Sequence, residues 1–188
     1  MANVIVIYGP PGSGKSTLAK ALAQDLALPC FDRDEFKDLL FDTLGYSDRS
    51  WSRQVGAASW ALLRLTVNKL ADTGQSFIVE TNFRPGDAPV EELRALHASG
   101  AVRVVSIQVV AAREVLWERF DGRHQGGGRH PGHVGFETAD EFAHFLAANP
   151  HGAIDFGGPT LDIDTSAGWP NTSDVVSWVR TALSDDAS

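Results

Sequence analysis

The stretch Tyr8-Gly9-Pro10-Pro11-Gly12-Ser13-Gly14-Lys15-Ser16-Thr17 constrains this chain more than any other. It follows an apolar run, Val4-Ile5-Val6-Ile7, and leads into a helix-like segment that begins near Thr17. Proline and glycine interrupt regular structure, so the stretch reads as a loop between a buried strand and a helix. The spacing of Gly9, Gly14, Lys15 and Ser16 is that of a phosphate-binding loop. Glycines at 9, 12 and 14 let backbone N–H groups turn inward around an anion. The helix that follows aims its positive end at the same point. Backbone amides from Gly12 to Thr17, Ser13 among them, are therefore expected to hold nucleotide phosphates. Lys15 adds a point charge, and the Ser16 hydroxyl is a ligand for Mg²⁺.

A chain of 188 residues with 43% hydrophobic residues suits one domain, spanning 1–188, with a sizeable core. Lys and Arg number 16 against 24 acids, a net charge of −8, which speaks against a nucleic-acid partner. The single cysteine, Cys30, excludes an internal disulfide and fits a reducing cytoplasm. The start "MANVIVIYG" has no charged signal-peptide region, and no apolar run approaches a membrane span.

Strands are expected at Asn3–Tyr8, Leu28–Asp32, Ser76–Thr81, Val102–Val110 and Thr160–Asp164. Helical patterns lie at Lys15–Leu26, Asp34–Leu44, Ser50–Thr73, Ala88–Ser99, Ala112–Gly122, Ala139–Ala148 and Ser173–Leu183. Near-continuous apolar strands alternating with helices imply a parallel sheet covered on both faces, an α/β sandwich. Thr138 with Glu141 reads as a capping box. The terminal "SDDAS" is expected to fray.

Four further features carry chemistry. In "FDRDEFKDLL", acids follow the second strand at its C-terminal edge, where open α/β sheets bind ligands. Asp34 is a candidate general base there, and equally a candidate N-cap of its helix. In "SFIVETNF", a strand delivers Glu80 at its tip, suited to holding Mg²⁺ through water. In "ERFDGRHQGGGRHPGH", Arg119 and Arg123 share a helix face and Arg129 follows a glycine hinge. Together they suit a lid over roughly 119–136 that closes on ATP. His124, His130 and His133 lack a cysteine or a rigid pair and are not expected to bind zinc. Trp51 and Trp60 fit a core role better than stacking on an acceptor.

With these motifs in order, the chain resembles the P-loop kinases of small molecules and nucleic acids. It is similar to the kinase domain of phage polynucleotide kinase, to chloramphenicol phosphotransferase, and to zeta-toxin, gluconate and shikimate kinases. "DRDEF" resembles the Arg-Asp-Asp-aromatic stretch whose first Asp is the base, which carries over to Asp34. "ETN" resembles their Asp-Thr-Asn, with Glu80 in place of the aspartate. Arg119 and Arg123 resemble the lid arginines, and Lys37 stands where nucleic-acid kinases have an acceptor-binding arginine. The resemblance implies a five-stranded parallel P-loop sandwich in order 2-3-1-4-5, and an adenine pocket between the lid and the loop after the last strand.

The expectation is an ATP- and Mg²⁺-dependent kinase acting on a hydroxyl of a small molecule. Lys15, Asp34, Arg119, Arg123 and Arg129 are its catalytic candidates. Gly9, Gly12, Ser13, Gly14, Ser16, Thr17 and Arg119 hold nucleotide, Ser16 and Glu80 the metal, and Lys37, Arg84 and Asp34 the acceptor. The alternatives are a polynucleotide 5′-hydroxyl kinase and a nucleotide-dependent switch with a protein partner. The acidic total favours a neutral or cationic acceptor.

Overall fold

The computed structural model describes residues 1–184; part of the C-terminal segment expected to fray, 185–188, lies outside them. In chain order the elements are β1 (Ala2–Tyr8), α1 (Lys15–Leu26), β2 (Cys30–Asp32), α2 (Arg33–Leu44), α3 (Arg49–Asp72) and β3 (Phe77–Thr81). Then come α4 (Ala88–Ala98), β4 (Val102–Val110), α5 (Arg113–Gln125), α6 (Ala139–Ala148), β5 (Thr160–Asp164) and α7 (Thr172–Ser184). The five strands form one parallel sheet in the order β2-β3-β1-β4-β5.

Period-two alternation sorts the central strand's side chains between two cores. Val4, Val6 and Tyr8 of β1 pack with Leu63 and Val67 of α3 and Val90 and Leu93 of α4. Ile5 and Ile7 pack with Leu18 and Leu22 of α1 and Val175 and Val179 of α7. The result is a three-layer sandwich. A third cluster, Leu116 and Phe120 of α5 with Phe142 of α6, anchors the base of the lid. Phe142 is wholly buried there. Truncating it to alanine would cost about 3–5 kcal/mol and loosen that base. Among the described residues, no helix is long and apolar enough to cross a membrane.

Differences from the sequence expectation are small and have local causes. The second strand starts at Cys30 rather than Leu28. Pro29 has no N–H to give a ladder, and it contributes only its carbonyl, which accepts from Ile78 N at 2.9 Å. The fifth helix runs on past Gly122 to Gln125. Thr138 caps α6, its hydroxyl accepting from Glu141 N at 3.2 Å. The Glu141 carboxylate reaches back to Glu137 N rather than to the cap's own amide.

Candidate active site

The first loop is shaped by what its neighbours allow. Gly12 has φ +87°, and a Cβ there would stand 2.3 Å from the Leu116 carbonyl oxygen. Gly14 has φ +91°, and a Cβ there would meet the Trp169 ring at 2.5 Å. Glycine at these two points lets the loop turn and lets α5 and the loop after β5 press against it. Gly14 then caps α1, whose first residues, Lys15, Ser16 and Thr17, bring the helix N-terminus to the expected phosphate position.

Glu80, the last residue but one of β3, lies beside this loop. It is buried, with Oε1 3.5 Å from Lys15 Nζ. Its Oε2 is buried without a partner. A buried carboxylate oxygen left unpartnered on a residue that contacts Lys15 fits the Mg²⁺ expectation, since hard cations take oxygen ligands. Asp32, the neighbour of Glu80 across the β2–β3 register, was expected only as part of an acidic cluster. Burial raises its pKa, and the adjacent Glu80 and Asp34 raise it further. Cys30 is unreactive for a similar reason: burial, then the charges of Glu80 and Asp32, push its thiol up to about 12.

The two readings of Asp34 are separated by its neighbour. Asp32, not Asp34, is the N-cap of α2, its Oδ1 accepting from Asp34 N at 2.8 Å. The Asp34 carboxylate is thus free of capping. It accepts from Arg33 Nη2 at 2.7 Å. Burial opposes its charge, but Arg33, His133 and Arg129 together hold the carboxyl well below the usual carboxylate range. Arg33, which sequence reading had passed over, also lies 5.3 Å over the Trp60 ring. Trp60 in turn packs on Phe83, the expected core role.

The segment expected as a lid packs on α2 through its histidines. The His130 ring stacks on Phe41 at 5.2 Å, and the His133 ring meets the same Phe41 edge-on at 5.5 Å. His133 Nε2 stands 2.6 Å from Asp38 Oδ1, and His130 Nε2 stands 3.2 Å from Asp42 Oδ1. These histidines latch lid to helix, each on its own aspartate. Arg129 comes down with them, its guanidinium 5.1 Å over Phe120 and within electrostatic range of Asp34. Arg123 is exposed. Arg119 turns the other way and donates to Thr165 Oγ1 and Thr165 O, both at 2.8 Å. Thr165 itself donates to Ser13 O at 3.0 Å. Arg119 thereby joins lid, phosphate loop and the loop after β5, where Trp169 lies half-exposed over Gly14.

The acceptor-side candidates divide. Lys37, one turn after Asp34, donates to Ser52 Oγ at 3.0 Å and lies 5.3 Å over the Phe41 ring. Burial, with Arg33 and Arg129 nearby, lowers its pKa to about 8. Arg84 is not part of this group. Its guanidinium donates to Asn149 Oδ1 and lies 3.6 Å from Asp87. It borders His151, a residue that carried no sequence signal. Burial, then Lys15 and Arg84, lower the His151 pKa to about 4. The acidic total of the chain does not describe this place: Arg33, Lys37 and Arg129 gather around one ionised aspartate. Charge averaged over a surface says nothing of which residues a fold brings together.

The described residues hold five buried side-chain polar atoms without a partner: Ser13 Oγ, Arg33 Nε, Glu80 Oε2, Arg84 Nε and His151 Nε2. All belong to the phosphate loop, the ends of β2 and β3, or the segment that borders Lys15. Buried polar groups are ordinarily satisfied. Their concentration at one rim of the sheet marks a place built for a polar ligand.

The sequence pattern of the Zeta toxin family matches residues 2–146, most of the chain. The chain belongs to the Zeta toxin family. A solved candidate kinase from Chloroflexus aurantiacus j-10-fl is 37% identical, covers 97% of this chain and 98% of its own, and superposes with a TM-score of 0.88. A gluconokinase from Sinorhizobium meliloti 1021 has 20% identity, 98% and 93% coverage and a TM-score of 0.55. Shikimate kinase from Acinetobacter baumannii, solved with shikimate, has 15% identity, 100% and 95% coverage and a TM-score of 0.55. A curated shikimate kinase from Rhodococcus jostii (strain RHA1) is 59% identical over 34 residues, 18% of this chain and 20% of its own length. Family and fold together make the chain a P-loop kinase.

Proposed function

We propose that this kinase transfers the γ-phosphoryl group of ATP to a hydroxyl of a small polar molecule. The observation that carries the reading is Asp34: free of capping, ionised, bonded to Arg33 and within electrostatic range of His133 and Arg129. The phosphate loop and Lys15 hold the triphosphate. Arg119 positions the wall formed by Thr165, and the base stacks near Trp169. Ser16 and Glu80 would hold Mg²⁺, which would supply charge neutralisation at the phosphates. The acceptor oxygen forms its bond to the γ-phosphorus as the bond to ADP breaks, and Asp34 accepts the hydroxyl proton. A carboxylate with so low a pKa is a weak base. That suits a loose transition state, in which the proton leaves late and positioning does most of the work. Arg123 and Arg129 meet the charge on the transferring group. With ATP as donor and one free thiol, the cytoplasm is the compartment that fits.

The solved gluconokinase and shikimate kinase make hydroxylated small molecules the first acceptors to test. The experiment is phosphoryl transfer from labelled Mg·ATP to a panel of polyols, sugars, nucleosides and antibiotics. Transfer to at least one of them, abolished in Lys15→Ala, is expected. Tight Mg·ATP binding with no transfer to any hydroxyl, but with a nucleotide-dependent change in binding to a protein partner, would replace the kinase reading with a switch.

A further inference from the structure

We propose that His133 is a positioning residue for phosphoryl transfer: held by Asp38 of α2, its imidazole takes a hydrogen bond from Arg129 and so fixes where that lid arginine delivers its charge. The inference rests on the kinase reading above and adds a residue to its machinery.

His133 is 4% exposed, and both of its ring nitrogens face a partner. Nε2 stands 2.6 Å from Asp38 Oδ1, and Nδ1 stands 3.4 Å from Arg129 Nη2. The chemistry of these partners assigns the proton. A guanidinium only donates and a carboxylate accepts, so Nδ1 is the acceptor and Nε2 carries the hydrogen. That is a neutral imidazole in one tautomer, oriented by a carboxylate on its far side. A proton on Nδ1 as well would set two donors against each other. With His133 neutral, burial still opposes the charge of Asp34. The charge and hydrogen bond of Arg33 and the charge of Arg129 remain to favour it.

The turn that carries His133 is firmly seated. Gly132, just before it, lies against Phe41, where a Cβ would stand 2.6 Å from the ring. His130 stacks on the same ring, and its Nδ1 accepts from Gly132 N at 3.0 Å. His133 N donates to His130 O at 3.0 Å. Phe41 itself is buried in α2. The turn cannot rotate without losing these contacts.

Arg129 is held differently. Its guanidinium lies 5.1 Å over the Phe120 ring, and the bond to His133 Nδ1 is its one side-chain hydrogen bond among the described residues. A cation over a ring face is free to turn about the ring normal. One hydrogen bond at Nη2 stops that turn and leaves the other donors free for the transferring group. Placement matters here, because a shift of about 1 Å in a reacting constellation can cost roughly a hundredfold in rate. The buried turn thus lends its rigidity to an arginine that has little of its own.

The test uses the full chain. With isotope-labelled histidine nitrogens and no nucleotide, NMR near neutral pH is expected to show His133 protonated on Nε2 and unprotonated on Nδ1. His133→Phe keeps a ring against Phe41 and removes both nitrogens, while the partly exposed Asp38 takes water in exchange. It should lower kcat about ten- to hundredfold and leave the KM of ATP within about twofold. The same substitution in an Arg129→Ala background should lower kcat no further, since residues that act through one group are not additive. A thermal melt accompanies each variant. A His133 ring that carries a proton on Nδ1 would overturn the proposal, and this measurement stands even if a variant fails to fold. So would a lowered melting temperature with kcat unchanged, or effects of His133→Phe and Arg129→Ala that multiply. Each of these results leaves the kinase reading in place. Absence of transfer to any acceptor by the unmodified chain would bring down both.

Discussion

Lys15 Nζ stands 3.5 Å from Glu80 Oε1, while Glu80 Oε2 is buried with no partner. One carboxylate thus steadies Lys15, the lysine proposed to hold phosphate, and keeps a second oxygen available. Removing a group that orients a metal's surroundings typically weakens the metal about 10–100-fold. Glu80→Gln keeps the shape and removes the charge. It is expected to raise the Mg²⁺ concentration needed for half-maximal transfer by about that factor. Activity titrated against Mg²⁺ at saturating ATP reads this directly. An unchanged requirement would confine Glu80 to positioning Lys15.

Asp34→Asn tests the base. Asp32 caps α2, so the helix keeps its cap in the variant; the charged bond from Arg33 is lost, so a thermal melt accompanies the kinetics and separates lost stability from lost turnover. A fall in turnover of about 10²–10⁴ is expected, with ATP affinity nearly unchanged. The low pKa of Asp34 adds a pH signature. The carboxylate stays charged below the ordinary carboxylate range, so an acid limb of the rate profile near pH 4 does not come from this residue. Full turnover in the variant would shift the base assignment to Asp32.

Much of this site was legible because its chemistry is local in sequence. The phosphate loop, the acids after the second strand and the arginines of the lid each fall within a short stretch. What was not legible depends on pairing between distant stretches. Asp32 beside Glu80 needs the β2–β3 register. The hold of His130 and His133 on Asp42 and Asp38 joins lid to α2 across the chain. Arg33 was given no role of its own from the sequence, because its contact with Trp60 depends on where α3 lies. Total charge could not show where the few basic residues gather, because the fold, not the sequence, brings them together.

The two lid arginines are expected to fail differently. Arg119 is tied to Thr165, so Arg119→Ala should raise the KM of ATP and lower stability by about 1–2 kcal/mol through its lost charged hydrogen bonds. Arg123 is exposed and makes no such bond among the described residues, so Arg123→Ala should leave stability unchanged and lower kcat. Steady-state kinetics with a thermal melt on each variant separates the two. Equal effects in both would mean that the lid acts as a cover only.

His151 gives the fold a pH dependence of its own. It lies close enough to Lys15 and Arg84 to feel both charges, and Nε2 is buried without a partner. Burial and those two cations hold its pKa near 4, against about 6.5 for a free histidine. Above about pH 6.5 the ring is neutral in both states and costs nothing. As pH falls from there towards 4, the unfolded chain takes up a proton that the folded chain refuses, so stability falls. With its partial exposure allowed for, the loss between pH 7 and pH 4.5 is about 1–2 kcal/mol. Asp87 and the backbone of Asn149 act in the opposite sense and are weaker. His151→Gln cannot take up that proton. Its urea-unfolding free energy should therefore drop between pH 7 and pH 4.5 by about 1–2 kcal/mol less than that of the unmodified chain. Identical drops in the two proteins would mean that His151 swings out to solvent when protonated, and that the acid sensitivity of the fold comes from its carboxylates instead.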